Sequence, residues 1–150
     1  MIIRAGGNTL DCDVEATIAA YSAYTPGLWK CDCCGCRNFR LAHDRVFTGP
    51  VLAFFKQFGI NTAKPHECYD LGISTDMICD YGGWFHFIGK PISDDDIVDV
   101  SESLRIYFLK GGTRPPAPFF GQPWVQMEFE LKIPWLVAEP WGSDRRPACL

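Results

Sequence analysis

Residues 31–36 read Cys-Asp-Cys-Cys-Gly-Cys, so four of the eight cysteines in this chain fall within six positions. Spacings of one and two residues allow a short loop to direct several sulfur atoms at one point, as a tetrahedral thiolate site for zinc requires. The stretch therefore predicts a metal-binding loop whose most typical ion is zinc in a structural role. It indicates no particular biochemical activity.

Two overlapping Cys-x-x-Cys pairs share this loop, Cys31 with Cys34 and Cys33 with Cys36, and one register is enough for a site. Gly35 favours the second pair, because a residue without a side chain lets the backbone turn so that both sulfurs face an ion. Cys31 can then supply a third sulfur. The alternative is a run of small, half-buried thiols that bind no metal.

A tetrahedral site needs a fourth ligand, and the loop also contains Cys34 outside the favoured register. The other candidates lie further along the chain: His43, His66, Cys68, Cys79 and His86. His86 lies between two phenylalanines on a predicted strand, where a histidine is often a core or surface residue rather than a ligand. The spacing of these residues leaves the choice open.

The residues before the loop predict a hairpin and a helix. Residues 1–12 carry a Gly-Gly-Asn turn between short apolar segments, which is typical of two paired strands. Asp11 or Asp13 can cap a helix that ends near Tyr24. Apolar residues recur at helical spacing on one of its sides: Val14, Ile18 and Tyr21.

Two more helices are predicted after the loop. Residues 38–46 are compatible with a short helix, and residues 49–58 give the clearest pattern, with apolar residues at i, i+3, i+4 and i+7. Pro50 suits the first turn of the second helix. Gly59 is typical of a left-handed residue that ends it.

From residue 67 onward the apolar period changes to two, which predicts strands. Gly, Pro or Asp clusters separate five such segments: 67–71, 77–81, 84–88, 104–109 and 124–131. Residues 124–131 alternate apolar and polar side chains, so one face of the sheet is covered and the other is solvated. The sequence thus predicts an α+β fold, with N-terminal helices packed on one face of a mainly antiparallel sheet. We expect one domain at 1–141 and a flexible tail at 142–150.

The composition limits the partners and the compartment. A formal net charge of -4 provides no broad cationic surface, so we expect no nucleic-acid partner. No apolar run approaches the ~18 residues of a membrane helix, and the N-terminus lacks the apolar region of a signal peptide. We therefore expect a cytoplasmic protein that makes no membrane contact. In the cytoplasm, cysteines are more often thiols or metal ligands than disulfides.

Most enzyme signatures are missing from the sequence. His66-Glu67-Cys68 has the wrong order for a zinc deaminase, and the sequence has no His-Glu-x-x-His, Gly-x-Ser-x-Gly or phosphate-loop pattern. A thiol redox protein is a weak alternative, because Trp29 precedes a Cys-x-x-Cys pair but no strand and βαβ setting accompanies it. A metal-dependent hydrolase is another alternative, with Glu67 or one of Asp94–Asp96 as the base.

The main hypothesis is a non-enzymatic domain that binds a protein partner or a second copy of itself, in an immunity or adaptor role. The aromatic residues beside the proline-rich loop suit such contacts if they are exposed. They are Phe119, Phe120 and Trp124.

Several stretches together resemble a group of small uncharacterised bacterial proteins. The shared patterns are Cys31-x-Cys33-x-x-Cys36-Arg37-Asn38-Phe39 and Gly82-Gly83-Trp84-Phe85-His86, and the likeness covers about residues 9–139. The resemblance implies a bacterial or phage source and a shared fold, but no activity. It also favours His86 as the fourth metal ligand beside Cys31, Cys33 and Cys36, because all four fall within the shared patterns. Three other cysteines fall outside them: Cys34, Cys68 and Cys79.

Overall fold

The computed structural model describes residues 1–93 and 97–144. Its helices are α1 (Val14–Ala23), α2 (Cys34–Val46) and α3 (Gly49–Lys56), with short 3-10 helices at Gly27–Trp29 and Ala117–Phe119. Its strands are β1 (Ile2–Ala5), β2 (Asn8–Cys12), β3 (Glu67–Ile73), β4 (Ile78–Ser93), β5 (Val98–Ser101), β6 (Leu104–Leu109) and β7 (Trp124–Pro134).

The strands in this part of the chain form one seven-stranded antiparallel sheet. Its order is β1-β2-β4-β7-β6-β5, and β3 pairs with β4 off this path. The first half of β4 pairs with β3 and its second half pairs with β2, while β7 runs along its other side. The predicted α+β class with a mainly antiparallel sheet is confirmed.

Strand β4 overturns one prediction, because the sequence indicated two strands separated at Gly82-Gly83 and the structure has one. Both glycines are required by packing and not by a turn. A Cβ atom on Gly82 would lie 2.7 Å from the ring of Tyr69, and one on Gly83 would lie 2.2 Å from the backbone oxygen of Glu67. The neighbouring strand β3 can approach β4 this closely because the side chains are missing.

Helix α1 begins at the predicted cap, where Asp13 Oδ1 accepts a hydrogen bond from the Ala16 backbone (3.0 Å). The predicted apolar stripe is partly wrong, because Ile18 is 52% exposed. The buried side of α1 is set instead by hydrogen bonds to β4. Thr17 Oγ1 accepts from the Ile88 backbone (2.9 Å), and the Tyr21 hydroxyl donates to the His86 carbonyl (2.9 Å).

Helices α2 and α3 cover one face of the sheet. Phe55 packs on Phe85 and Phe58 packs on Phe87, with ring centroids 5.2 and 5.1 Å apart. The α3 helix ends at Lys56, two residues before the prediction, and Gly59 is left-handed at φ +76° as predicted. Helix α2 begins at Cys34, four residues before the predicted start, so the cysteine loop and the helix overlap.

The predicted alternation of covered and solvated residues holds for the second half of β7 but is wrong at Gln126, which is 2% exposed. Alternate residues of β7 are buried in the core, whereas Glu130 and Lys132 face outward. Strand β5 was not predicted. The predicted tail at 142–150 is described only through Asp144, and Asp94–Asp96 lie outside the described residues.

The aromatic cluster beside the proline-rich loop mostly closes the core. Phe119 is fully buried, and Trp124 is partly buried. Phe120 remains 47% exposed, with the Arg114 guanidinium 4.2 Å from its ring centroid. Of these three aromatic residues, only Phe120 therefore has the exposure that a contact surface would need.

Candidate metal centre

Three of the predicted ligands come together at the start of α2. The sulfur atoms of Cys31, Cys33 and Cys36 lie within 4.8 Å of one another, and the three cysteines can hold a metal ion. Cys33 is the N-cap of α2, and its sulfur accepts a hydrogen bond from the Cys36 backbone (3.5 Å).

Arg40 on the second turn of α2 holds the segment that leads into the site. Its guanidinium donates hydrogen bonds to the carbonyl oxygens of Leu28 and Cys31, the second at 2.8 Å. The backbone N–H of Cys31 also donates to Gly27 (3.1 Å), which closes the turn before the loop. These bonds bring Cys31 back toward the helix on which Cys36 lies.

Carboxylates from distant parts of the chain approach the same helix end. The Cys34 backbone N–H donates to both carboxylate oxygens of Asp144 (2.9 and 3.1 Å). Asp70 on β3 lies against Gly35, where a Cβ atom would be 2.4 Å from Asp70 Oδ1. Two carboxylates therefore lie beside the first turn of the helix that carries Cys36.

The protonation of Cys36 depends on that cation. Burial and, to a smaller extent, the adjacent Cys33 sulfur raise the pKa of Cys36 to about 12. Without an ion, the thiol of Cys36 keeps its proton at neutral pH. A bound metal ion displaces such protons, so metal binding and proton release are coupled.

The oxidation state of Cys31 matters for this site. Cys31 is disulfide-bonded, so a site of three thiolates requires its reduction. Cys34 and Cys36 are free thiols. The Cys31–Cys34 disulfide that the redox hypothesis requires is therefore not formed in the structure.

His86 is placed away from this group. Its Nε2 lies 2.9 Å from the carbonyl oxygen of Thr113, and its Nδ1 lies 2.6 Å from Nδ1 of His66. A carbonyl oxygen only accepts, so Nε2 of His86 carries the hydrogen and Nδ1 is the acceptor. His66 Nδ1 therefore donates to His86. Both ring nitrogens of His86 are engaged, and the structure does not bring it together with the three cysteines.

Both histidines of this pair are neutral. Burial lowers the pKa of His86 to about 4 and that of His66 to about 2. The ring of His66 packs between Tyr21, Tyr24 and Phe119, with centroids 4.6 to 5.2 Å away. Within the described ranges, its Nε2 is buried without a hydrogen-bond partner.

The other candidate ligands divide into two groups. His43 is engaged on α2, with Nδ1 2.7 Å from Asp44 Oδ1 and Nε2 3.0 Å from Thr62 Oγ1. Cys79 is buried in β4, and its thiol donates to the Asp80 carbonyl (3.7 Å). In contrast, His66 and Cys68 line a cavity of about 190 Å³ together with Cys36.

Glu67, the base of the hydrolase hypothesis, lines the same cavity. Its Oε1 accepts a hydrogen bond from the Cys68 backbone (3.2 Å), and burial raises its pKa. The alternative bases, Asp94–Asp96, lie outside the described residues.

Sequence reasoning missed the residues that support the loop. The Tyr81 hydroxyl donates to the Gly35 carbonyl (2.7 Å), and Asn38 Oδ1 accepts from the Leu136 backbone (2.6 Å). Asn38 stands inside the Cys-Arg-Asn-Phe pattern, so that pattern was an available signal. Asp70 and Asp144 gave no such signal, because they are distant in the chain from the loop they contact.

No protein-family model, curated protein or solved structure matches this chain. Across the described ranges, no helix combines the length and the apolar character needed to cross a bilayer.

Proposed function

We propose that this chain is a non-enzymatic interaction module whose cysteine loop binds one structural zinc ion in the reducing cytoplasm. Its role is that of an immunity or adaptor protein, which acts by binding another protein. The observation that carries the proposal is the cluster of Cys31, Cys33 and Cys36, whose sulfurs lie within 4.8 Å of one another.

Zinc is the ion that this donor set favours. Thiolates are soft ligands that select zinc over magnesium or calcium, and cysteine-rich tetrahedral sites are typically structural. The position of the cluster supports a structural role, because α2 carries Cys36 while its first turn contacts Asp70 on β3. An ion bound here would help to fix the helical layer against the sheet.

Exposed apolar side chains on the neighbouring strand β3 support the proposal of a protein partner. Tyr69 and Leu71 of β3 are 44% and 59% exposed, and Trp84 packs edge-on against Tyr69 (centroids 6.4 Å apart). Exposed aromatic side chains are common in protein interfaces. The metal loop would then stabilise the strand that presents this surface.

The metal content can be tested by native mass spectrometry of the full chain, purified under reducing conditions with zinc present. We expect one zinc ion per chain, and we expect it to be lost after treatment with a strong chelator. Cys36→Ser should bind no zinc, whereas Cys12→Ser, which changes a buried thiol outside the cluster, should keep it. Metal-free protein under reducing conditions would contradict the proposal.

A second candidate function is a metal-dependent hydrolase. The observation that favours it is Glu67, a carboxyl group of raised pKa that lines the cavity beside Cys36. An ion with only three protein ligands keeps a position for water, and Glu67 would then act as the base. Hydrolysis of activated esters by the zinc-loaded protein, abolished in Glu67→Gln, would favour this candidate over a structural site.

A further inference from the structure

We propose that Cys68 on β3 supplies the fourth ligand, so that the site is a closed four-cysteine centre formed with Cys31, Cys33 and Cys36. This inference rests on the proposed metal-binding function of the loop. Cys68 thereby takes the place of His86 as the candidate fourth ligand, because both ring nitrogens of His86 are engaged elsewhere.

The direction of β3 places Cys68 toward the loop. Side chains alternate along a strand, so His66, Cys68 and Asp70 lie on the same side of the chain. Asp70 shows which way this side faces, because its carboxylate lies against Gly35 in the first turn of α2. Cys68 is the next residue on that side, and it faces the neighbourhood of Cys36.

The cavity between the two elements agrees with this placement. Cys36 and Cys68 line the same space of about 190 Å³, and both are free thiols.

The site is not closed in the structure. Among the described residues, only the other three cysteines have sulfurs within 4.8 Å of one another. The Cys68 sulfur must therefore approach by rotation of its side chain. A cysteine side chain can adopt other staggered rotamers, which move its sulfur without moving the backbone.

His66 is the main competitor, since it lines the same cavity and its Nε2 is buried without a hydrogen-bond partner in the described part of the chain. Two features favour Cys68. His66 is one alternation, or about 6.6 Å, further from Asp70 along the strand. Its ring is also held by the hydrogen bond to His86 and by stacking on Tyr21, so it cannot rotate as freely as a thiol.

Cobalt substitution tests this assignment on the full, reduced chain. Co²⁺ in a tetrahedral thiolate site gives sulfur-to-metal charge-transfer absorption whose intensity rises with the number of Co–S bonds. We expect the wild-type intensity to correspond to four bonds and Cys68→Ser to lose about one quarter of it, because one of four ligands is removed. Cys79→Ser, which changes a buried thiol on the paired strand β4, is the matched control and should leave the spectrum unchanged.

A second variant distinguishes the loss of a ligand from a loss of folding in Cys68→Ser. Cys68→His should restore tight cobalt binding with a spectrum of three sulfurs and one nitrogen. Unchanged intensity in Cys68→Ser, or an intensity loss confined to His66→Ala, would overturn the assignment of Cys68 while leaving the three-cysteine site intact. Loss of all cobalt binding in the wild-type protein would instead contradict the proposed function itself.

Discussion

Gly83 lies where β4 passes closest to β3. A Cβ atom at this position would be 2.2 Å from the Glu67 backbone oxygen and 2.6 Å from Phe129 Cζ. The backbone oxygen belongs to the paired strand, so it cannot move aside without breaking the β3–β4 register. The absence of a side chain at residue 83 is therefore a condition for this pairing.

We expect Gly83→Ala to lower the free energy of unfolding by about 1–3 kcal/mol, as overpacking in a core does. Gly72→Ala is the matched control, because a Cβ atom there meets nothing within 4 Å. Urea denaturation of both variants measures the difference. Equal midpoints for the two variants would show that β3 and β4 are not packed this closely.

The buried histidine pair is a second feature at the residue scale. In the unfolded chain each imidazole binds a proton near its ordinary pKa of 6.5, whereas burial lowers the folded pKa of His66 to about 2 and of His86 to about 4. As the pH falls below 6.5, the unfolded state therefore binds more protons than the folded state. Stability is highest above the unfolded pKa and decreases as the pH falls toward 4.

The pair predicts a loss of up to about 1.4 kcal/mol per pH unit for each histidine between pH 6.5 and 4.5. His66→Phe keeps an aromatic ring in the pocket and removes one of the two groups, so its stability should depend less steeply on pH than that of the wild type. Urea denaturation at several pH values measures both slopes. Parallel slopes would contradict the assignment of His66 as a buried neutral imidazole.

At the scale of elements, Asn38 joins α2 to the end of β7. This fully buried side chain donates to the Pro134 carbonyl (3.1 Å) and accepts from the Leu136 backbone (2.6 Å). The helix that carries Cys36 is thereby held to the sheet by a side chain two residues further on. The placement of the cysteine loop depends on this contact as well as on any bound ion.

Asn38→Ala should cost about 1–3 kcal/mol of stability, because it removes the hydrogen bonds of two partly buried backbone groups. Asn61→Ala is a suitable control, since Asn61 is exposed and its side chain accepts a local hydrogen bond from the Ala63 backbone. Thermal unfolding of the metal-free proteins separates this contribution from that of zinc. A stability near that of the wild type would mean that Asn38 does not hold the two elements together.

The helices and strands that could be predicted are those whose sequence pattern depends only on neighbouring residues. Residues 49–58 repeat apolar side chains at helical spacing, and those same rings pack on β4. Gly82-Gly83 misled the prediction, because the reason for the glycines is the neighbouring strand rather than a local turn. The same limit applies to the site: Asp144 contacts Cys34 across 110 positions of sequence, which no local spacing reveals.

Ile18 shows the same limit on a helix. Its apolar spacing suggested a core position, but the hydrogen bonds of Thr17 and Tyr21 to β4 turn a different side of α1 inward. The cysteine cluster was predictable because three of its members lie within six residues. The sequence offered the proposed fourth ligand, Cys68, only as one of several candidates, because the choice depends on which strand lies beside the loop.

At the scale of the whole molecule, the cysteine loop joins the two layers of the fold. It lies between the 3-10 helix at Gly27–Trp29 and α2, and it meets β3 through Asp70. The residues after β7 reach the same place, where Arg37 pairs with Glu139 (2.6 Å) and Asp144 accepts from Cys34. An ion at this junction would stabilise contacts among helix, sheet and C-terminal segment together.

The central claim is tested most directly by the melting temperature of the reduced, full-length protein with zinc and with a strong chelator. Free zinc at 100 times its Kd should raise the free energy of unfolding by about 2.7 kcal/mol. For a chain of this size that corresponds to an increase in Tm of about 5–10 °C, and the increase should vanish in Cys36→Ser. An equal Tm with zinc and with chelator would contradict the claim that a metal ion at Cys31, Cys33 and Cys36 stabilises this fold.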